Sequence, residues 1–334
     1  MKSRRWSKER ANRWYEELPW LVGCNFVPSS AINQLEMWQA DTFDPETIDR
    51  ELKWAAGIGF NTIRVYLHDL AWEADAAGFK ERIGQFLGIA AQKGIKPLFA
   101  IFDDCWNADP QIGPQPEPLP SIHNSGWLQS PGLDIVNNPD AWERLERYVV
   151  DIVGTFAQDK RILLWDLYNE PGNNENGEKS LPLVKKAFEW ARSAGSSQPL
   201  SIGVWADLPA LNEFQLAASD VITFHNYEPA DHLARQITEL RQYGRPLICT
   251  EWMARTRGSL VETNLPIFQR ENVGCINWGL VAGKTNTIWQ WGTPAGAPEP
   301  DPWFHDIFRP DGTPYREEEI ALFRKLTRER NAQE

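Results

Sequence analysis

Sulfur and imidazole are scarce in this chain of 334 residues, which has four cysteines, three methionines and five histidines. None of Cys24, Cys105, Cys249 and Cys275 forms a C-x-x-C pair, and three lie inside apolar runs where cysteine behaves as a small hydrophobe. That pattern argues against a disulfide framework and against a zinc site, and the sequence calls for no cofactor. Basic charge is also short, with 34 Lys and Arg against 46 Asp and Glu, a net charge of −12 and no long basic run. Nucleic acid and anionic membrane need concentrated positive charge, so neither is an expected partner. No apolar stretch reaches membrane-spanning length, and residues 1–20 are charged throughout, without the apolar core of a signal peptide. The expectation is a soluble, cytoplasmic protein, or a secreted one if a leader has been removed.

What the chain has in excess is tryptophan, seventeen residues in all. Indole faces stack on the C–H faces of sugar rings, although most tryptophans in a chain of this size must serve the core. The rest is ordinary globular composition, 42% hydrophobic and 24% charged, with length enough for a large core. β-rich runs recur at 21–26, 62–67, 97–102, 162–168, 200–205, 221–226, 246–250 and 274–280. Helical segments are expected between them at 78–93, 180–194, 230–243, 260–271 and 315–328, with another at 7–17 before the first strand. A segment at 209–217 carries the weakest signal. Asp44-Pro45-Glu46 and Asn138-Pro139-Asp140 each supply a cap, a proline at the first helical position and an acidic first turn. Eight strand–helix units imply parallel pairing with right-handed crossovers, and so a single (β/α)8 barrel over residues 1–334. The rival open sheet would show a Gly-rich phosphate turn after its first strand, and residues 23–28, GCNFVP, are not one. The connections after strands one, three and eight are long, and all three belong to the face of the barrel where active sites sit.

Two carboxylates interrupt this apolar pattern. The run Leu163-Leu164-Trp165-Asp166-Leu167-Tyr168 ends in Asn169-Glu170-Pro171, and Pro246-Leu247-Ile248-Cys249-Thr250 ends in Glu251-Trp252. Charge at the end of an apolar strand is costly, and two such glutamates suggest the paired carboxylates of a sugar-cleaving enzyme. Polar residues gather at other strand tips too: Arg64 on the second strand, His225 and Tyr227 on the sixth, Trp278 on the eighth.

The Asn-Glu-Pro at 169–171, the His-x-Tyr at 225–227 and the glutamate ending strand seven resemble glycoside hydrolase family 5 and its clan of retaining (β/α)8 glycosidases. The resemblance runs from about residue 21 to the last helix. It implies that Glu170 is the general acid and base and Glu251 the nucleophile, with Glu251 raising the pKa of Glu170 by like-charge repulsion. It further implies that Asn169 binds the sugar 2-hydroxyl, that Arg64 and Tyr227 hold Glu251, and that Trp278 is the platform under the reacting sugar. His225 would join the polar network around the pocket. At strand three the chain departs from the family's pattern, where many members carry a histidine. The run here is Phe102-Asp103-Asp104-Cys105-Trp106, and Asp104 is the carboxylate placed against sugar hydroxyls. His68, four residues after Arg64 on the same strand face, and Lys284, after strand eight, complete the expected binding set.

The leading reading is a retaining exo-β-glycosidase acting on short oligosaccharides. Similarity of 20–38 and 303–309 to the β-mannosidase-like branch makes a β-mannoside the expected substrate. An endo-acting glucanase, mannanase or xylanase is the alternative enzyme, and a catalytically inactive sugar-binding barrel is the alternative of another class. A metal-dependent sugar isomerase would need clustered ligands that five scattered histidines do not supply.

Overall fold

The computed structural model describes residues 5–331. Eight strands form the sheet: β1 (Val22–Asn25), β2 (Thr62–Tyr66), β3 (Lys96–Ala100), β4 (Trp165–Asp166), β5 (Leu200–Ser201), β6 (Ile222–Asn226), β7 (Leu247–Trp252) and β8 (Gly274–Asn277). They pair in parallel in the order β5-β4-β3-β2-β1-β8-β7-β6. A single bridge between Val204 and Phe224 joins the two ends, with the His225 N–H donating to the Val204 carbonyl at 3.0 Å. The result is a nearly closed (β/α)8 barrel.

The helices in chain order are α1 (Lys8–Glu16), α2 (Gln34–Trp38), α3 (Pro45–Gly57), α4 (Asp69–Ala74), α5 (Ala76–Gln92), α6 (Leu133–Val136), α7 (Trp142–Thr155), α8 (Leu181–Ser193), α9 (Pro209–Ala218), α10 (Ala230–Arg241), α11 (Val261–Arg270) and α12 (Glu317–Asn331). The start of α3 follows from its sequence. Asp44 caps it by accepting from the Thr47 N–H at 3.0 Å, Pro45 fills the first turn, and Ile48, Leu52 and Ala55 are buried at helical spacing. In α7, Leu145, Tyr148, Val149 and Ile152 make the same kind of buried stripe, after a 3-10 turn over Pro139–Ala141. No helix among the described residues is long and apolar enough to cross a membrane.

The two ends of the barrel differ in chemistry. At the N-terminal end Leu21, Leu98, Leu163, Leu164, Val221, Ile248 and Ile276 form an apolar plug, and Tyr15 of α1 packs beneath it. One layer higher the interior turns polar around Arg64, which is fully buried. At the C-terminal end the loops after β1, β3 and β8 bond to one another. Asn33 donates to the Gly126 carbonyl at 2.8 Å, the Asn124 N–H to the Thr285 carbonyl at 2.8 Å, and the Lys284 N–H to the Ser29 carbonyl at 3.1 Å. Three long loops thus make one continuous wall.

The strands differ from expectation at two places. β4 and β5 are regular for only two residues each, because the chain there meets its neighbours at irregular spacing. Asn169 N–H still donates to the Phe102 carbonyl at 2.7 Å, and Leu167 N–H to the Ser201 carbonyl at 2.8 Å. β7 runs past position 250, so Glu251 lies inside the strand and not beyond it. The short helices α2, α4 and α6, all within the loops above the barrel, carry too few residues for periodicity to reveal them.

Candidate active site

Arg64 is the hub of the polar layer. Its Nε donates to Asp166 Oδ2 at 2.8 Å, Nη1 to Glu251 Oε1 at 2.6 Å and to Asn25 Oδ1 at 3.1 Å, and Nη2 to Asn169 Oδ1 at 2.7 Å. It also contacts the Tyr66 hydroxyl. Burial opposes its charge, yet Tyr66, Asp166 and Glu251 more than offset that and hold the guanidinium well above its ordinary range. A buried arginine of this kind persists only with a full set of acceptors.

Glu251 reaches this hub through an irregularity in β7. Opposite β6, Phe224 pairs with Cys249 and His225 with Glu251, so Thr250 is passed over. Opposite β8 the register also gains one residue between Cys249 and Trp252. Such a bulge re-aims one side chain, here into the cavity. Glu251 then accepts on Oε1 from Arg64 and from the Tyr66 hydroxyl at 2.9 Å, and on Oε2 from the Tyr227 hydroxyl at 2.8 Å.

Glu170 follows the last turn of strand four with a left-handed backbone, φ +42°, an unfavourable conformation for a residue with a side chain. Its Oε1 lies 2.9 Å from His225 Nδ1, and its Oε2 accepts from Asn173 Nδ2 at 2.7 Å and from the Cys105 thiol at 3.2 Å. Burial pushes its pKa up, but the hydrogen bond and charge of His225, with Cys105 and Asn173, outweigh burial and leave it below the ordinary glutamate range. The expectation that Glu251 raises it is therefore corrected: the pair with His225 dominates.

Donor atoms of Glu170, His225 and Glu251 lie within 4.8 Å of one another. Carboxyl oxygens that close are in keeping with the roughly 5–5.5 Å separation of a double displacement. Both carboxylates already accept from protein donors, His225 lies against Glu170, and the Arg64 cation stands beside Glu251, so the cluster is built as a hydrogen-bonded acid–base group.

The three side chains stand at the foot of a cavity of about 640 Å³. Asn169, Tyr227 and Trp278 line it with them. Trp278 packs edge-on against Tyr66 and Trp127, with ring centroids at 5.9 and 5.6 Å, and borders the cavity. The next residue, Gly279, has φ +79°, and a Cβ there would lie 2.5 Å from Asp306 Oδ1, so glycine is required to turn the chain beneath the indole.

Three residues expected at the site lie elsewhere. Asp104 is buried behind β4, where it accepts from the Tyr168 hydroxyl at 2.6 Å and the Gly172 N–H at 2.8 Å, so it braces the turn that carries Glu170. His68 is fully buried as the cap of α4, accepting from the Leu70 N–H on Nδ1 and donating from Nε2 to the Gln129 carbonyl at 3.0 Å. Lys284 pairs with Glu36 at 2.6 Å and ties two loops together outside the cavity. Asp103 is also structural: it accepts from Trp127 Nε1 at 2.8 Å and from Asn169 Nδ2 at 3.0 Å, and burial pushes its pKa up to about 7.

Other contributors escaped the sequence reading. Tyr66 sits two residues from Arg64 and so on the same strand face, a signal that was available. Asn173 and Cys105 come from irregular loops, and His123, Trp205, Trp291 and His305 reach the cavity from loops whose paths no local pattern fixes.

Comparison with known proteins agrees with the geometry. No curated protein matches the chain. Among solved structures, a GH5_18 variant from Streptomyces cattleya in complex with Manb1-4GlcNAc superposes with a TM-score of 0.66 at 12% identity, covering 93% of this chain and 81% of that one. The exo-beta-1,4-mannosidase Op5Man5 from Opitutaceae bacterium strain TAV5 gives 0.65 at 16% identity, covering 94% of this chain and 60% of that one. A broad-specificity GH5-4 endoglucanase from Clostridium longisporum gives 0.64 at 12% identity, covering 96% and 98%. At such identities the likeness speaks for the fold alone. The family model for cellulase, glycosyl hydrolase family 5, matches residues 29–292. The chain belongs to glycosyl hydrolase family 5, and is thus a retaining O-glycosyl hydrolase.

Proposed function

We propose that the protein is an exo-acting β-glycosidase that removes one sugar at a time from short β-linked oligosaccharides, a terminal β-mannoside above all. Glu251 Oε2 attacks the anomeric carbon while Glu170 gives its proton to the departing oxygen. Water then returns the proton to Glu170 as its oxygen displaces Glu251. His225 Nδ1, 2.9 Å from Glu170 Oε1, orients the carboxyl that transfers the proton. Arg64, Tyr66 and Tyr227 spread the charge of Glu251 before attack and release it as the ester forms. Asn169, held by Arg64 and Asp103, is fixed to meet the sugar 2-hydroxyl.

The observation that carries the exo reading is the wall made by the loops after β1, β3 and β8. Its cross-loop hydrogen bonds tie the loops together beside Trp278, which supports a site closed at one end. The mannoside preference draws support from the exo-mannosidase and the mannoside complex among structures of similar fold. A panel of p-nitrophenyl β-glycosides together with β-1,4-mannobiose tests this reading. The mannoside should be hydrolysed fastest and mannobiose should yield mannose alone.

An endo-glycanase is the second reading, favoured by the reach of the cavity. Beyond the glutamates it extends past Trp205 and Arg257 to His232 and Gln236 on α10. In the exo reading this outer part receives the leaving saccharide.

A further inference from the structure

Cys105 differs from the other three cysteines. Cys24, Cys249 and Cys275 are packed in the apolar core, whereas Cys105 lies in the cavity against Glu170. Its Sγ is 3.2 Å from Glu170 Oε2 and accepts from Asn173 Nδ2 at 3.3 Å and Asn169 Nδ2 at 3.4 Å. Its backbone N–H donates to Asp103 Oδ1 at 2.8 Å. The one carboxylate that its S–H meets is that of Glu170.

Burial, with the negative charge of Asp103, Glu170 and Glu251, pushes the thiol far above its ordinary range. Cys105 remains a thiol and is no nucleophile. The other donor to Glu170 Oε2, Asn173 Nδ2, can only donate, and so favours the ionised carboxylate alone. A thiol can do either: it donates S–H, or turns away and offers a sulfur lone pair.

We propose that Cys105 is a positioning residue that follows the proton of Glu170, donating S–H to the ionised carboxylate and turning its S–H away when Glu170 is protonated. Resting on the acid/base assignment of Glu170, this gives the site a contact that tolerates both forms the double displacement requires. The groups that face Glu170 are His225 from β6, Tyr227 just beyond it, Glu251 from β7, Cys105 from the loop after β3 and Asn173 from the loop after β4. Of these, only Cys105 is exchanged in the test.

In Cys105→Ser the stronger hydroxyl donor favours ionised Glu170, so the alkaline limb of kcat/KM moves to lower pH. In Cys105→Ala the donor is gone and the limb moves to higher pH. A shift of about half a unit each way corresponds to one neutral hydrogen bond. A merely structural role would lower activity in both variants with the limb in place. Unmoved limbs, or limbs that move the same way, overturn the proposal. The infrared S–H band of the wild-type protein gives a second test that needs no folded cysteine variant. It should shift across the alkaline limb and stay fixed in Glu170→Gln, and a band that never shifts also overturns the proposal. If Glu170→Gln retains full activity on poor leaving groups, the acid/base assignment itself fails. If that variant behaves as an acid/base mutant while the Cys105 readouts stay still, only the thiol proposal fails.

Discussion

His225 Nδ1 stands 2.9 Å from Oε1 of Glu170, closer than its 3.5 Å approach to Oε2 of Glu251. The imidazole thus engages Glu170, the residue we propose as acid and base, before it engages Glu251. Glu170→Gln preserves the shape of this contact but removes the transferable proton. Substrates with poor leaving groups should slow by about 10³-fold or more, and activated aryl glycosides should lose far less in the first step. Pre-steady-state rates on a phenyl and a dinitrophenyl glycoside compare the two, and equal losses would count against the role.

Arg64 is predicted to hold the polar layer together. In Arg64→Met the fully buried Asp166 keeps its carboxylate and loses its guanidinium partner, as Glu251 does. The variant should lose about 3–5 kcal/mol of stability in urea unfolding, as expected for a broken buried pair, and its activity with it. A loss below about 1 kcal/mol would mean that Asp166 finds another partner.

Burial holds His123 down to about 4, below the 6.5 of a free histidine. Between those values the unfolded chain binds a proton that the native state refuses. The contribution of His123 is therefore fully present above pH 6.5 and is lost as pH falls toward 4. His123→Phe lacks this loss, and comparing the two proteins cancels the buried acids they share. Between pH 7 and 4.5 the variant should gain about 2 kcal/mol relative to wild type. A difference that stays flat with pH would show that His123 titrates normally.

If the wall of loops closes one end of the site, a longer oligosaccharide should shed monosaccharides from the start, and polymer viscosity should barely fall early in the reaction. Trp278→Ala should impair even the smallest substrate, because that indole serves the one enclosed sugar. Mixed oligomers from the outset would replace the exo reading with the endo one and leave both glutamates in their roles.

Much of this was legible in the sequence, and the exceptions share a cause. Strands buried on both faces read as continuous apolar runs, and capped helices announce their starts, so the barrel followed from local pattern. Glu170, Glu251, Asn169, His225, Tyr227 and Trp278 stand at or beside strand ends, where polar residues after an apolar run stand out. The bulge at Thr250 is a tertiary feature, and nothing in the run Cys249-Thr250-Glu251 marks it. His68 and Asp104 looked equally polar and equally placed. What separates them from Arg64 is the third dimension: a loop carbonyl at Gln129 satisfies the one, and the turn at Gly172 satisfies the other. Lys284 was misread because its partner, Glu36, lies on a short helix with no sequence signature.

The central claim is that Glu251 forms the bond to the sugar. Glu251→Gly removes the carboxylate and leaves room for a small anion on the same face. Turnover of an activated aryl β-mannoside should fall by about 10⁴-fold or more. Added azide should restore part of it, and the product should be the α-glycosyl azide, formed by one inversion at the anomeric carbon. Near wild-type turnover without azide, or a β-configured azide, would contradict the account.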